Sequence, residues 1–357
     1  MPLKYTKGGV VLLTDFKIKN FKTFDDFNLQ NLKKVNIFVG KPNTGKTSIL
    51  EALSLFLARN PYMLVLLLSE RNILNDEDCF QSLFFDYKTN NSISLISNND
   101  TVAIRIKDDE KSIVAFTDND FVADRVANGL EFKIKQNSKN TQFDDAGYIS
   151  FYNEQNSLKL KYKRENEIDS LNKLEFIFNF KNKRYQDRFI KDISSILQAK
   201  DQEKILQKKM QHFSSNIDGL KFLNNNKLVV RQKKLQHDID FRLLGQGFQT
   251  YIFILVAILA GKKYILIDEI ENGLHFESID LLLESILNSP KDTQFFITTH
   301  NEEILQRLAS KIEEKNKKTE DVAVFNIYHN KEQKLEAVQY SQENFIHAMS
   351  YGNEIRE

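Results

Sequence analysis

The chain has few of the residues and segments that mark a secreted or membrane protein. Its 357 residues include one cysteine, Cys79, which excludes an internal disulfide and offers no metal-binding cluster. The longest apolar run, Tyr251 to Ala260, is about half as long as a membrane-spanning helix. The N-terminal residues show no signal sequence with a cleavage site. We therefore predict a soluble, cytoplasmic protein that does not associate with membranes.

An excess of charge of either sign is also missing. Lysine plus arginine (50) almost cancels aspartate plus glutamate (49), so the formal net charge is +1. This balance excludes a strong overall field that would attract nucleic acid or an anionic membrane, although a local basic patch is compatible with it. The 41% of hydrophobic residues is ordinary for a globular chain of one large or two average domains.

Short apolar runs predict an α/β fold. The runs 35–39, 264–267 and 294–298 are separated by helical or polar segments. Such runs are typical of strands that are buried on both faces of a parallel sheet. We therefore predict a mostly parallel sheet flanked by helices.

The middle of the chain has a different pattern. Residues 91–181 alternate apolar and polar positions, as half-buried antiparallel strands do. Residues 185–218 have the spacing of one or two amphipathic helices. We predict that one fold is formed by residues 1–60 and 226–357, and that residues 61–225 insert an antiparallel β and helical subdomain into it.

The sequence GKPNTGKT at 40–47 matches the phosphate-loop pattern G-x-x-x-x-G-K-[ST] in full, between a predicted strand and a predicted helix. Backbone N–H groups of such a loop bind phosphate oxygens, the lysine (Lys46) binds the β- and γ-phosphates, and the hydroxyl of Thr47 ligates Mg²⁺. The alternative is a glycine-rich turn before an ordinary helix. The predicted ATP-binding residues are Gly40, Lys41, Pro42, Asn43, Thr44, Gly45, Lys46, Thr47 and Ser48.

A second motif, YILIDEIENGLH, places Asp268 and Glu269 at the end of a predicted buried strand. Ligands of open α/β sheets bind at this end of the strands. Asp268 is suited to hold Mg²⁺ through its water shell, and Glu269 is suited to orient the attacking water or accept its proton. Two carboxylates in a solvated turn would be the alternative for this pair taken alone.

A third strand end carries Thr298-Thr299-His300-Asn301. A lone histidine is usually structural or on the surface. His300 follows its strand as the other two motifs follow theirs, so we expect it at the same crevice, where it senses the γ-phosphate and positions the water. The predicted catalytic residues are therefore Lys46, Glu269 and His300.

Together these motifs resemble the ABC-type ATPase superfamily and, more closely, the OLD-like (overcoming lysogenization defect) AAA ATPases. The resemblance covers residues 1–60 and 226–357 well and barely covers 61–225. It is carried by IKNFKTF at 18–24, GKPNTGKTS at 40–48, LLGQGFQ at 243–249, IDEIENGLH at 267–275 and ITTHNEE at 297–303.

The resemblance implies a head-to-tail homodimer with two ATP molecules at its interface, and leaves a higher oligomer open. Residues 273–275 would then be the D-loop. Gly245 stands where the usual signature has a serine, so backbone amides and the following helix N-terminus must contact the phosphate. Taken alone, Gly-Gln-Gly is more often a turn. The signature loop, which binds the γ-phosphate held by the partner, would be Leu244, Gly245, Gln246 and Gly247.

Two further features remain open. Gln81 is the one residue that we nominate for the Q-loop glutamine of the family, and a helix-surface glutamine is the alternative. Lys227, Arg231, Lys233 and Lys234 precede the signature loop and are candidates for contacts to a DNA backbone. A solvated face is the usual explanation of such a run, and acidic residues follow it directly.

The 57 residues after His300 are too few for the Toprim nuclease domain that OLD-like proteins often carry. Their acidic residues, Glu332, Glu336, Glu343 and Glu354, are scattered. We therefore interpret the chain as the ATPase or sensor subunit of a bacterial anti-phage defence system with a separate effector protein. The alternative is a RecF-like or SMC-like ATPase clamp in DNA repair or chromosome maintenance. A transporter subunit is disfavoured because the LSGGQ signature is absent.

Overall fold

The computed structural model describes residues 12–59, 62–73, 78–106, 126–135, 145–154, 157–164, 176–177, 183–223, 227–314 and 321–351. The helices are α1 (Lys46–Ala58), α2 (Tyr62–Glu70), α3 (Lys183–Gln198), α4 (Lys200–Phe213), α5 (Gln246–Leu259), α6 (Phe276–Leu287), α7 (Glu302–Glu314) and α8 (Gln342–Ser350). The strands are β1 (Asp15–Phe21), β2 (Phe24–Gln30), β3 (Val35–Val39), β4 (Ile93–Ser97), β5 (Asp100–Ile106), β6 (Val126–Lys135), β7 (Asp145–Glu154), β8 (Ser157–Arg164), β9 (Phe176–Ile177), β10 (Ile217–Phe222), β11 (Leu228–Gln232), β12 (Ile239–Asp240), β13 (Tyr264–Ile267), β14 (Gln294–Thr298), β15 (Val322–His329) and β16 (Leu335–Tyr340).

The central sheet has six strands in the order β16-β15-β3-β14-β13-β9. All of its neighbouring strands are parallel except the pair β15–β16. Every residue of β3 and β14 is buried, because helices such as α1 pack against the sheet. The predicted α/β fold with a mostly parallel sheet flanked by helices is confirmed.

The second sheet has seven antiparallel strands in the order β2-β1-β4-β5-β6-β7-β8. The alternating pattern predicted strands at the positions of β4, β5, β6 and β8, and all four are present. Strand β4 pairs directly with β1, with Ile18 opposite Leu95. The antiparallel strands of the middle segment therefore continue a sheet that begins with the N-terminal strands, instead of forming a separate layer.

Two helices and a three-stranded sheet lead back to the central sheet. The amphipathic segment forms α3 and α4, which both pack on α5. After residue 227 the strands β11 and β12 form an antiparallel hairpin, and β10 completes this small sheet. Helices α2 and α7 were not predicted. No helix within the described residues is long and apolar enough to cross a membrane.

Candidate active site

Three neighbouring parallel strands end at one edge of the central sheet. β14 lies between β3 and β13, with Ile297 paired to Ile37 on one side and to Ile267 on the other. The phosphate-loop sequence follows β3, the acidic pair follows β13 and the Thr-Thr-His segment follows β14. All three predicted motifs therefore lie at the same end of the sheet, where open α/β sheets bind ligands.

The loop between β3 and α1 is shaped by its glycine and lysine. Gly45 precedes α1 with φ +80°, and a Cβ there would lie 2.8 Å from both a Phe24 ring carbon and Thr23 Oγ1, so glycine is required. Lys46 Nζ donates hydrogen bonds to the backbone oxygens of Gly40 (2.9 Å) and Lys41 (2.8 Å). The ammonium group is therefore held against the loop that carries the backbone N–H donors.

The hydroxyl of Thr47 and the carboxylate of Asp268 are in contact. Thr47 Oγ1 lies 3.1 Å from Oδ1 and 3.0 Å from Oδ2 of Asp268. Thr298 Oγ1, which is buried, donates to Asp268 Oδ1 at 2.7 Å and accepts the backbone N–H of Glu269 at 2.7 Å. One threonine therefore fixes both acidic residues relative to β14.

These oxygens fit a magnesium ion. Mg²⁺ prefers hard oxygen ligands in an octahedron, in which adjacent ligands lie about 3 Å apart. The Thr47 hydroxyl and the Asp268 carboxylate supply oxygens of this kind, and the hydrogen bond between them holds them side by side. Burial raises the pKa of the Asp268 carboxyl, hydrogen bonds from Thr298 and Thr47 act against this, and the charges of Glu269 and Glu51 raise the pKa further. A divalent cation would offset the cost of this buried negative charge.

Glu269 has an unusual backbone conformation. Its φ is +50°, a left-handed value that costs a non-glycine residue about 1 kcal/mol or more and that is often found at active sites. Its side chain is 47% exposed, and Asn272 Nδ2 donates to its Oε2 at 2.7 Å. The turn therefore directs a solvent-accessible carboxylate, with a defined hydrogen bond, next to Asp268.

His300 is joined to the same acidic turn. Its Nδ1 lies 3.9 Å from Glu269 Oε1 and 2.8 Å from Glu271 Oε1. Its backbone N–H donates to the same oxygen of Glu271 at 2.9 Å. The structure thus brings His300 next to Glu269 as predicted, and it adds Glu271, which the sequence analysis did not single out.

The proposed signature loop stands at the N-terminus of α5. Gly247 contacts the turn after β13 so closely that a Cβ would lie 2.1 Å from the backbone oxygen of Gly273. Apart from its chain neighbours, none of the described residues has an atom within 4 Å of the position where Gly245 would carry a Cβ, and the nearby Leu243 is 78% exposed. One side of the loop is therefore packed on the predicted D-loop of its own chain, and the other side is open.

Gln81 begins a short 3-10 turn, Gln81–Leu83, that is attached to the end of β1. Lys22 donates its backbone N–H to Leu83 O at 2.8 Å, and Phe21 pairs with Phe84 in an isolated bridge. The Oε1 atom of Gln81 is buried without a hydrogen-bond partner among the described groups. The residue as a whole is half-buried, so its role as Q-loop glutamine stays a prediction beside the helix-surface alternative.

The basic residues before the signature loop are partly neutralised. Lys227 Nζ lies 3.3 Å from Asp240 Oδ2, and Arg231 Nε lies 3.1 Å from Asp218 Oδ2. Two of the four predicted phosphate-binding cations therefore already have carboxylate partners, which weakens the attraction of this hairpin for DNA.

A buried ion-pair group behind the phosphate loop was also not predicted. Glu51 in α1 has a 4% exposed side chain, and its Oε2 accepts from Lys22 Nζ at 2.6 Å. Its Oε1 accepts from Arg71 Nε at 3.0 Å and lies 2.9 Å from Arg71 Nη2. Burial lowers the pKa of the Lys22 ammonium group, while the charge of Glu51 opposes this change. The group links β1 and the end of α2 to the helix that follows the loop.

We expect Glu51→Gln to lower the free energy of unfolding by about 3 kcal/mol, because it leaves the buried Lys22 ammonium without a counter-charge. Urea denaturation followed by circular dichroism measures this change. Glu332→Gln is the matched control, since it removes the same charge from an exposed pair with Lys334 and is expected to cost less than about 1 kcal/mol. Equal, small effects of both variants would contradict the structural role of Glu51.

Lys46 in its loop, the contact between Thr47 and Asp268, and Glu269 all lie at one end of a mostly parallel sheet. This arrangement defines a P-loop ATPase. The chain belongs to the family described as "AAA domain, putative AbiEii toxin, Type IV TA system", whose model matches residues 35–306.

Individual proteins are similar to this chain over most or part of its length. An "ATP/GTP phosphatase" of Helicobacter pylori is 27% identical over 335 residues, which cover 85% of this chain and 90% of that protein. An uncharacterized protein of Methanocaldococcus jannaschii is 30% identical over 139 residues, 37% of this chain and 59% of that protein.

Two solved structures of SMC head domains are similar in shape. One, bound to the C-terminal winged-helix domain of ScpA, has a TM-score of 0.49 and 12% identity and covers 92% of this chain and 97% of its own. The other, with an extended coiled coil and derived from Pyrococcus furiosus, has a TM-score of 0.48 and 11% identity and covers 97% of this chain and 99% of its own. At these TM-scores the likeness carries no functional information.

Proposed function

We propose that this protein is an OLD-like ATPase that hydrolyses ATP with Mg²⁺ as a head-to-tail homodimer. The observation that carries the proposal is the contact between Thr47 and Asp268 next to the strained Glu269. This contact brings the two proposed metal ligands together with Glu269, the candidate base, beside the phosphate loop. The relative named "ATP/GTP phosphatase" supports hydrolysis of a nucleoside triphosphate.

In this mechanism each group has one task. Lys46 and the loop N–H groups bind the β- and γ-phosphate oxygens, and Thr47 and Asp268 hold Mg²⁺, which neutralises phosphate charge when bound. Glu269 orients a water molecule and accepts its proton as the water oxygen attacks the γ-phosphorus and the bond to the bridging oxygen breaks. His300 helps to position that water. Release of phosphate from ATP and from GTP, measured side by side, tests the reaction and the nucleotide preference.

The open side of the signature loop supports a site shared between two copies of the chain. Gly245 precedes α5, whose N-terminus carries positive potential, and the glycine is exposed among the described residues. The γ-phosphate held by a second copy is a ligand of suitable charge for this position. We propose that Leu244, Gly245, Gln246 and Gly247 complete the site of the partner.

Gly245→Asp tests the shared site. Apart from its chain neighbours, no described residue has an atom within 4 Å of a Cβ at this position, and the position favours aspartate as a helix N-cap, so we expect an intact fold. Next to the γ-phosphate of the partner, its charge is repulsive, and we expect ATPase activity to fall at least about 10²-fold. Gly247 is unsuitable for this test, because any side chain there collides with Gly273 of its own chain. Phosphate release at saturating ATP is the measurement.

Mixing two inactive variants shows whether the carboxylate at position 245 impairs the site of its own chain or the site of the partner. A heterodimer of Gly245→Asp with Lys46→Ala carries both defects at one site and none at the other, so we expect ATPase activity to reappear from two inactive proteins. Gly245→Asn is the neutral control and is expected to keep most of the rate. Confirmed heterodimers without any recovery would contradict the shared site.

For the biological role, we propose that the protein is the ATPase or sensor subunit of an anti-phage defence system and acts through a separate effector. The family description, which names a putative toxin of a toxin–antitoxin system, supports a role in a system with more than one component. Residues 321–351 supply two strands of the ATPase sheet and α8, which packs on them. In the hairpin formed by β15 and β16, the Glu336 carboxylate accepts hydrogen bonds from Tyr328 and Asn330, and Glu332 pairs with Lys334. Glu354 lies outside the described residues.

We expect the purified protein to hydrolyse ATP and to cut neither DNA nor RNA. The assay is incubation with plasmid, linear DNA and total RNA, with ATP and either Mg²⁺ or Mn²⁺. Cleavage that is lost when carboxylates of this chain are changed would contradict a separate effector. A salt-sensitive shift of DNA that requires ATP, without cleavage, would instead favour the RecF-like or SMC-like clamp. A protein encoded next to this gene that co-purifies according to nucleotide state would support the defence role.

A further inference from the structure

The acidic turn after β13 carries a carboxylate that the mechanism above does not use. Glu271 lies two residues after Glu269, and its side chain is 9% exposed. Its Oε1 receives the backbone N–H of His300 at 2.9 Å and lies 2.8 Å from His300 Nδ1. One buried oxygen atom therefore contacts both the backbone and the ring of a single histidine.

The second oxygen of Glu271 strengthens this observation. Oε2 is buried and has no hydrogen-bond partner among the described groups. Burying a carboxylate with an unsatisfied oxygen is costly, and active sites are where such costs are retained. To hold the loop in place, Glu271 would need only its hydrogen bond from the backbone N–H of His300. Its Oε1 also lies 2.8 Å from the ring atom Nδ1.

The contact has a chemical consequence for the ring. An ionised carboxylate only accepts hydrogen bonds, so the 2.8 Å contact between Glu271 Oε1 and His300 Nδ1 is favourable only when Nδ1 carries a proton. In the neutral ring the other nitrogen, Nε2, then has the lone pair and acts as an acceptor. An acceptor suits the hydrogen atom of a water molecule and does not suit an unprotonated phosphate oxygen.

Neighbouring groups limit how the ring is used. Glu269 Oε1 lies 3.9 Å from Nδ1, beyond the distance of a hydrogen bond, so Glu271 is the carboxylate at hydrogen-bonding distance on that side of the ring. Backbone contacts fix the turn itself, since the N–H of Ile270 donates to Thr298 O at 3.1 Å and the N–H of Leu274 to Glu271 O at 3.1 Å. Glu271 and His300 are therefore held on two adjacent strand ends.

We propose that Glu271 is a positioning residue for hydrolysis, which fixes the His300 ring with its proton on Nδ1 so that Nε2 accepts a hydrogen bond from the attacking water. This proposal rests on the ATPase function proposed above. Glu269 remains the group that takes the proton of the water, and Glu271 acts only through His300. The histidine is thereby assigned to the water instead of the γ-phosphate.

The first test uses the protein without nucleotide and does not depend on activity. The chain has six histidines, so a long-range ¹H–¹⁵N spectrum of ¹⁵N-histidine-labelled protein is simple, and His300→Asn identifies the signal. We expect His300 to show the tautomer protonated at Nδ1. In Glu271→Leu, which keeps the size of the side chain but removes both oxygens, we expect the ring to change to the tautomer protonated at Nε2. A ring protonated at Nε2 in the wild type would overturn the proposal.

The second test measures steady-state kinetics. We expect Glu271→Leu and His300→Ala each to lower kcat about 10²-fold with KM changed less than about threefold, and the double variant to be no slower than His300→Ala. Glu271→Gln keeps an acceptor oxygen and should restore most of kcat. Additive losses in the double variant would show that Glu271 acts independently of His300 and would overturn the proposal.

Glu303→Gln is the matched control, because this carboxylate lies three residues from His300 and pairs with Arg307. We expect it to leave kcat and the His300 signal unchanged. The outcomes also separate this proposal from the ATPase function. A rate that depends on Lys46 but not on Glu271 contradicts the positioning role alone, whereas a rate independent of Lys46 contradicts the ATPase site itself.

Discussion

Lys46→Ala is expected to reduce ATP hydrolysis about 10²- to 10³-fold, because one preorganised cation is removed from the β- and γ-phosphates. In the protein the ammonium group already lies against the loop, with its Nζ on the backbone oxygens of Gly40 and Lys41. It therefore needs little rearrangement to reach a phosphate bound by the same loop. Phosphate release at saturating ATP measures the rate, and a fluorescent ATP analogue measures binding.

The control for this variant is Lys291→Ala, which removes the same charge from an exposed position after α6. We expect its rate to equal that of the wild type within about twofold, since isolated surface substitutions have small effects. Thermal unfolding of both variants shows whether the fold is intact. If Lys46→Ala keeps most of the wild-type rate while folded, the phosphate loop is not the site of hydrolysis.

The sequence was sufficient to predict the three motifs of the site because each one is local. Each follows a short, mostly apolar run, and such runs form parallel strands whose carboxyl ends lie at one edge. The contact between Thr47 and Asp268, 221 positions apart, follows from this rule once β3, β14 and β13 are neighbours. The positions are thus confirmed, while the catalytic roles stay predictions.

The residues that the sequence did not predict depend on pairing between distant segments. Glu271 meets His300 across 29 positions, and Glu51 meets Lys22 across 29 positions. The register of β13 with β14 and the packing of α1 on the sheets determine which side chains face each other in these two pairs. A carboxylate in a turn or in a helix has no local pattern that distinguishes a buried partner from solvent.

Helix α2 and the pairing of β4 with β1 were missed for different physical reasons. Helix α2, with the sequence YMLVLLLSE, is apolar on nearly all sides, so it lacks the periodic contrast between a buried and an exposed face. The pairing of β4 with β1 joins residues almost 80 positions apart, and alternation predicts a strand but not its neighbour. The domain boundary predicted at residue 60 therefore divides a continuous antiparallel sheet.

Glu269→Gln is expected to stop hydrolysis while ATP and Mg²⁺ still bind. An amide cannot take the proton of the attacking water, and we expect a loss of about 10²- to 10³-fold in kcat. The oxygen of the new amide can still accept from Asn272 Nδ2, which in the wild type donates to Glu269 Oε2 at 2.7 Å. Metal binding should be retained, because Thr47 and Asp268 are unchanged.

Because hydrolysis is blocked, we expect Glu269→Gln to form a dimer with ATP trapped between the two copies. Light scattering after size exclusion should show the mass doubling when ATP is added to Glu269→Gln, and no change when it is added to Lys46→Ala. Glu313→Gln changes an exposed carboxylate of α7; it is the control and should hydrolyse ATP at the wild-type rate.

If Glu269→Gln hydrolyses ATP normally, a group other than Glu269 takes the proton of the water. Because His300 Nε2 is the acceptor in the arrangement proposed above, the role of base would then move to His300, and Glu271→Leu would become the more damaging substitution.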